Sequence, residues 1–286
     1  MPDKKLDYSK LKSYSIQGRK SLVNIKDFAS PWEKGGNFKT FLDTLPSILA
    51  GNHLRDAVSA IASAARNGSQ VCFAMGGHVI KTGMAPVLID LMNKGVITLI
   101  AMNGSGIIHD LETALTGGTS EDVAASIGDG SFGMAKETSD LINQAISDAE
   151  SNAVGLGQAV GTMILEKKLP FRNQSLIAGA AKLGIPVTVH VAIGTDIVHM
   201  HPGFDAAACG KASHRDFETF ASHIAGLENG VFINAGSAVI LPEVFLKALT
   251  LVRNLGHRVD DFTTINLDFI RHYRPMTNVV NRPTLG

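Results

Sequence analysis

The stretch "VTVHVAIGTDIVHMHPGFDAA" crowds His190, Asp196, His199, His201 and Asp205 together. His199 and His201, two positions apart, would share one face of an extended segment. Two histidines and a carboxylate can bind a divalent metal. The alternative places His190 in a strand core and lets the others line a polar pocket. No third ligand stands at a diagnostic spacing, so no metal is expected. A metal-dependent hydrolase or lyase on His190–His201 is kept as an alternative. Cys209, in "AAACGKASH", is a nucleophile only in an electropositive setting, and Cys72, in an apolar run, reads as a small core hydrophobe. Lys81 could meet a phosphate or form an imine, but only if desolvated; a solvated helix-start lysine is the plainer reading. Arg271, His272, Arg274 and Arg282 make the last segment basic, so it reaches a phosphate or a neighbouring subunit, or is a solvated terminus.

Small residues form the second group. "MGGH", "MNGSG", "AIGTD" and "NAGSA" each follow an apolar run. Glycine lets a ligand approach the backbone, and the start of a following helix offers unpaired N–H groups to an anion. None of the four is a GxGxxG or a Walker loop, and any tight strand-to-helix turn favours glycine. Together they still point to a nucleotide or phosphate-bearing ligand. In "AMNGSGIIHDLETAL" (101–115), His109 lies about one turn into the helix and faces the same cleft, while Asp110 reads as a helix cap.

Alternating strands and helices must position these groups. The spacing predicts a helix over 39–67 broken near Pro46 and Gly51, and strands at 69–75, 96–102, 185–194, 231–236 and within 260–268. Helices are expected at 84–95, 175–184, 216–230 and 242–256. This alternation implies an α/β fold, a mostly parallel sheet flanked by helices, with ligands beyond the carboxyl ends of the strands. Residues 1–38 read as an N-terminal arm and 39–286 as one nucleotide-binding domain. The chain has 286 residues, 45% hydrophobic and 18% charged, with a formal net charge of +0. That balance argues against nucleic acid or an anionic membrane as partner. With no apolar leader at the start and no membrane-spanning run, a cytoplasmic protein is expected.

The run "VCFAMGGHVIKTGMAPVLIDLMNKGVITLIAMNGSGIIHDLETAL" resembles the deoxyhypusine synthase family. Gly76, Gly77 and His78 fall on that family's first Thr-Ser-Asn loop, and Asn103, Gly104, Ser105 and Gly106 on its second, Thr-Ala-Gly-Gly, loop. "IPVTVHVAIGTDIVHM", "VFINAGSAV" and "TTINL" are similar to later motifs in the same order, so the likeness covers most of 40–283. It implies a Rossmann-like fold and a homotetramer with sites at the dimer interface. It also implies an NAD site built from those loops with Gly194, Thr195, Gly236, Ser237 and Asn266. The departures lie in the amine site. The family's lysine follows an Arg-Pro matched by Arg282–Pro283, beyond which no counterpart is read; Ile240, Leu241 and Pro242 replace a Lys-His-His; and Ile108 and His109 replace two glutamates, with Asp110 on the aspartate. His199 falls on another pocket aspartate. A less cationic substrate than spermidine is therefore expected, with His109, His199 and Asp196 as catalytic candidates in an NAD-dependent oxidation or group transfer. A non-catalytic nucleotide-binding or sensing protein is the alternative.

Overall fold

The computed structural model describes residues 5–285 of the chain. It divides into two compact units, Met1–Asp56 and Ala57–Gly286. In the first, short 3-10 turns at Tyr8–Lys10, Ile16–Gly18 and Ile25–Asp27 lead to α1 (Phe38–Thr44). The Arg55 guanidinium donates to the carbonyls of Leu42, Leu45, Pro46 and Gly51, which serves the orphan carbonyls where α1 ends. Helix α2 (Ala50–Arg66) begins beyond a break at the expected place, near Pro46 and Gly51.

The second unit is built on five strands: β1 (Val71–Met75), β2 (Leu99–Asn103), β3 (Val187–His190), β4 (Val231–Ala235) and β5 (Thr263–Leu267). All pairs are parallel and the order is β3-β2-β1-β4-β5. This is a Rossmann-like α/β sheet, with its switch point between β1 and β4. The connections run through α3 (His78–Lys81), α4 (Ala85–Asn93), α5 (Gly104–Thr116), α6 (Val123–Ser126), α7 (Lys136–Ser151), α8 (Leu156–Glu166), α9 (Leu176–Leu183), α10 (Ala206–Ala225) and α11 (Ile240–Asn254).

The central strands are buried on both faces, which is why they read as near-continuous apolar runs. Met75, Ile100, Met102 and Ile233 pack with Leu111, Ile142, Val160 and Ile177 on one side. On the other, Phe232 stacks on Phe245 at 3.7 Å, with Phe220 and Phe262 edge-on to that pair. The outer edge of β3 is covered by α10. The Val189 amide donates to Asp216 Oδ2 (2.9 Å), the Val191 amide donates to Ser213 Oγ (3.0 Å), and Ser213 Oγ donates to the Val189 carbonyl (2.8 Å). These side chains satisfy groups that would otherwise template another strand.

Boundaries differ most from the sequence expectation at β3 and α10. Strand β3 stops at His190 rather than continuing to 194, because the chain turns at Gly194, where φ is +94°. Helix α10 starts at Ala206, not 216: Asp205 caps it by accepting from the Ala208 amide (2.9 Å), and the small residues of "AAACGKAS" carry it without an amphipathic signal.

Candidate functional site

All four glycine-bearing turns lie at the carboxyl ends of β1 to β4. The chain's own atoms fill much of the space they make. A Cβ on Gly76 would collide with the Gly236 carbonyl oxygen, and the Gly76 amide donates to the Ala235 carbonyl (3.0 Å). A Cβ on Gly77 would stand 2.5 Å from Ser105 Oγ and 3.1 Å from His109 Cδ2. A Cβ on Gly104 would strike the Asp196 carboxylate, and one on Gly106 would press on Met102. Gly194 and Gly236 differ: both have positive φ and open space where a Cβ would be.

Helix α5 begins without a side-chain cap. Asn103 Oδ1 accepts from Ser105 Oγ (3.0 Å) instead of a first-turn amide. The group beside that positive helix end is the Asp196 carboxylate, buried at 8% exposure and pushed up to about 6 by desolvation. His199 Nδ1 accepts from the Gly194 amide (3.0 Å) and the Asp196 amide (3.2 Å). An atom accepting two N–H bonds carries no proton, so the neutral ring is protonated at Nε2, 3.9 Å from Asp196 Oδ2. Thr195 Oγ1 donates to the Ala192 carbonyl (2.7 Å) and braces the same turn.

His109 is the opposite tautomer. Thr119 Oγ1 lies 2.8 Å from His109 Nδ1 and donates its single proton to Glu112 Oε2 (2.5 Å), whose other oxygen accepts from Thr138 Oγ1 (3.1 Å). Nδ1 must therefore be the donor, and Nε2 keeps its lone pair. Burial holds the imidazole below its ordinary pKa; Glu112 opposes this, and Lys81 and His78 reinforce it. At neutral pH the ring is an uncharged base. His78 and Lys81, on α3, are both exposed.

At the far side, Ser237 Oγ accepts from the Leu241 amide (3.2 Å) and starts α11. Asn234 Nδ2 donates to Asn266 Oδ1 (2.8 Å) and to the Ser237 carbonyl (3.0 Å), while Asn234 Oδ1 is buried without a partner.

Some expectations are corrected, and between others the geometry chooses. His199 and His201 do not share a face, because Ile197–Met200 is a 3-10 turn, and His201 Nε2 instead bonds the Gly133 carbonyl (2.9 Å). His190 sits on Thr188 Oγ1 (3.0 Å) and edge-on to Phe220, pushed down to about 3 by burial. Among the described residues no group of three or more His, Cys, Asp or Glu is placed to hold a metal ion, so the metal-dependent alternative loses its geometry. Cys209 is buried and pushed up to about 11, and Cys72 to about 12; neither is a poised thiolate. Asp110 does not cap its own helix. It accepts from Ser175 Oγ (2.5 Å), the Leu176 amide (2.7 Å) and the Ile177 amide (3.2 Å), and so caps α9. In the basic tail, Arg274 pairs with Glu243 and Arg282 bonds Asn278.

Sequence reading missed Glu112, Thr119 and Asp216. The i, i+3 spacing of His109 and Glu112 on one helix was the available signal for the first. Thr119 and Asp216 carry none, since loop closure and a contact between α10 and the strand edge place them.

Burial raises three carboxyls, Asp110 and Asp196 to about 6 and Asp216 to about 7. An acid raised in the folded state supports folding fully below its unfolded pKa and loses that support as pH rises through the folded value. His190, lowered, supports folding above about 6.5 and loses that support as pH falls toward 3. The two sets offset one another between about pH 4 and 6.5. The carboxyls are therefore best read singly: a carbon-13 titration of aspartate-labelled protein is expected to show three carboxyls still protonated at pH 5. Ordinary midpoints near 4 would refute it.

No family model matches the sequence, and no curated protein matches it either. Among solved structures, the chain is similar to a candidate deoxyhypusine synthase from Entamoeba histolytica (13% identity, 73% of this chain and 82% of that one, TM-score 0.47). It is also similar to AgrE in a ternary complex with ornithine and NAD+ (13%, 69% and 26%, 0.46) and to a LOR/SDH-type protein from Methanococcus maripaludis S2 (14%, 89% and 64%, 0.43). The alignment spans about a quarter of that AgrE chain. These likenesses are distant and concern the fold alone.

Proposed function

We propose that the chain binds NAD across the carboxyl ends of β1 to β4 and uses His109 as general base on a small substrate other than a polyamine, in an oxidation or group transfer. The observation that carries this reading is the Glu112–Thr119–His109 chain, which leaves Nε2 as a lone-pair acceptor next to the Gly77 and Ser105 turns.

The residues suit NAD unevenly. Asp196 would repel a phosphate at the start of α5. The open Gly236 turn, Ser237, Asn266 and the orphaned Asn234 Oδ1 suit a pyrophosphate and hydroxyl-bearing ribose near the start of α11, while the open Gly194 turn lies at the end of β3, at the other edge of the sheet. Gly76, Gly77, His78 and Asn103–Gly106 then form the substrate-side wall. When bound, NAD would accept a hydride from a substrate carbon. His109 Nε2 takes the proton from the hydroxyl or amino group on that carbon. Asp196 and His199 hold the 194–199 turn against α5. His78 and Lys81 beside His109 favour a neutral or anionic substrate, and neither Ile108 nor Asp110 offers the cleft a carboxylate. A cytoplasmic homotetramer with sites at its dimer interface belongs to the same proposal.

Calorimetric titration with NAD tests the cofactor. Val239 is 48% exposed at the start of α11, so Val239→Glu adds a carboxylate there without entering the core. Micromolar binding is expected, weakened at least about tenfold in the variant. No heat with the unaltered protein would end the NAD reading.

A second reading, nucleotide binding without chemistry, is favoured by one observation: Gly76, Gly77 and Gly104 serve the chain's own packing. It expects NAD to bind but no alcohol or amine to reduce it.

A further inference from the structure

Resting on His109 as the base, we infer that Thr119 is a positioning residue and that the loop carrying it completes the base only when folded down. His109 and Glu112 stand on one helix, yet Nδ1 and Oε2 are 4.0 Å apart, too far for a direct hydrogen bond. Thr119 Oγ1 bridges them at 2.8 and 2.5 Å. Among the described residues, the group that sets the imidazole's tautomer thus comes from outside the helix, on the segment after the α5 terminus.

That segment has a defined anchorage. It leaves α5 at Gly117, in the left-handed region at φ +78°, and turns back at Gly133, also +78°. Glu121 Oε2 accepts from the Gly133 amide (2.9 Å), which ties the two ends of the loop together. The Gly133 carbonyl accepts from His201 Nε2 (2.9 Å), which fastens the loop to the segment after β3. Between these ties the surface is exposed, including Val123 and Ile127. His201 thereby holds the loop that holds Thr119. Lifting the loop removes the acceptor from Nδ1, and Nε2 is then free to take the ring proton and cease to be a base. Closure and arming of the base are one event.

The tautomer can be read in the free protein without NAD, so failure of the cofactor reading leaves this test standing. Nitrogen-15 spectra of ring-labelled histidine are expected to show His109 protonated at Nδ1. Thr119→Val should move it toward the Nε2-protonated form, and Thr119→Ser should restore the original spectrum. Should Thr119→Val fail to fold, Glu112→Ala removes the acceptor at the other end and is read the same way. An unaltered protein already protonated at Nε2, or a folded Thr119→Val with unchanged ring shifts, overturns the inference.

Discussion

Asp110→Ala is expected to destabilise the protein by about 3–5 kcal/mol in urea unfolding, among the largest costs of any single side chain here. The carboxylate is fully buried and accepts from one hydroxyl and two amides at the start of α9. Truncation leaves three buried donors without an acceptor, at about 1–3 kcal/mol each, offset by relief of the desolvated carboxyl. The result bears on function. The resemblance to deoxyhypusine synthases sets Asp110 on an acidic residue of an amine pocket, whereas the structure turns it away from the cleft and into the junction of α5 with α9. A loss below about 1 kcal/mol would show that Asp110 is dispensable to packing and would reopen the case for a cationic substrate.

His109→Gln is expected to lower kcat by about 10²–10⁴ while leaving NAD affinity within a few-fold, followed by nicotinamide absorbance with the substrate found by screening. Glutamine keeps the polar body but cannot take a proton at the position of Nε2. His109 stands on α5 beside Gly77, not at the open Gly194 and Gly236 turns, so the proposal separates binding from chemistry. Equal loss of affinity and rate would make His109 a binding group. An unchanged rate would favour the reading without chemistry.

Much of the fold was legible. β-branched and apolar runs of four to five residues with glycine nearby mark β1 to β4, because a strand covered on both faces has few polar positions to interrupt it; β5, only partly buried, carries polar residues instead. The break between α1 and α2 followed from Pro46 and Gly51. The first ten residues of α10 were not legible, because "AAACGKASHR" has small residues on every face and no 3.6-residue apolar period.

The glycine turns were legible in place and not in role. That glycines cluster at the carboxyl ends of the strands is a property of the sequence, since turn chemistry is local. Whether each glycine makes room for a ligand or for the chain itself is not, because Gly76 meets Gly236 and Gly104 meets Asp196 across long stretches of chain. The histidines divide the same way. Sequence alone determined that His109 follows a strand-end turn and that His190, His199 and His201 cluster along the chain. Tertiary structure decided that His190 is locked in the core, that His199 and His109 carry their protons on opposite ring nitrogens, and that Thr119 joins His109 to Glu112. A tautomer depends on the partner at each ring nitrogen, and those partners are set by packing between elements rather than by spacing along the chain.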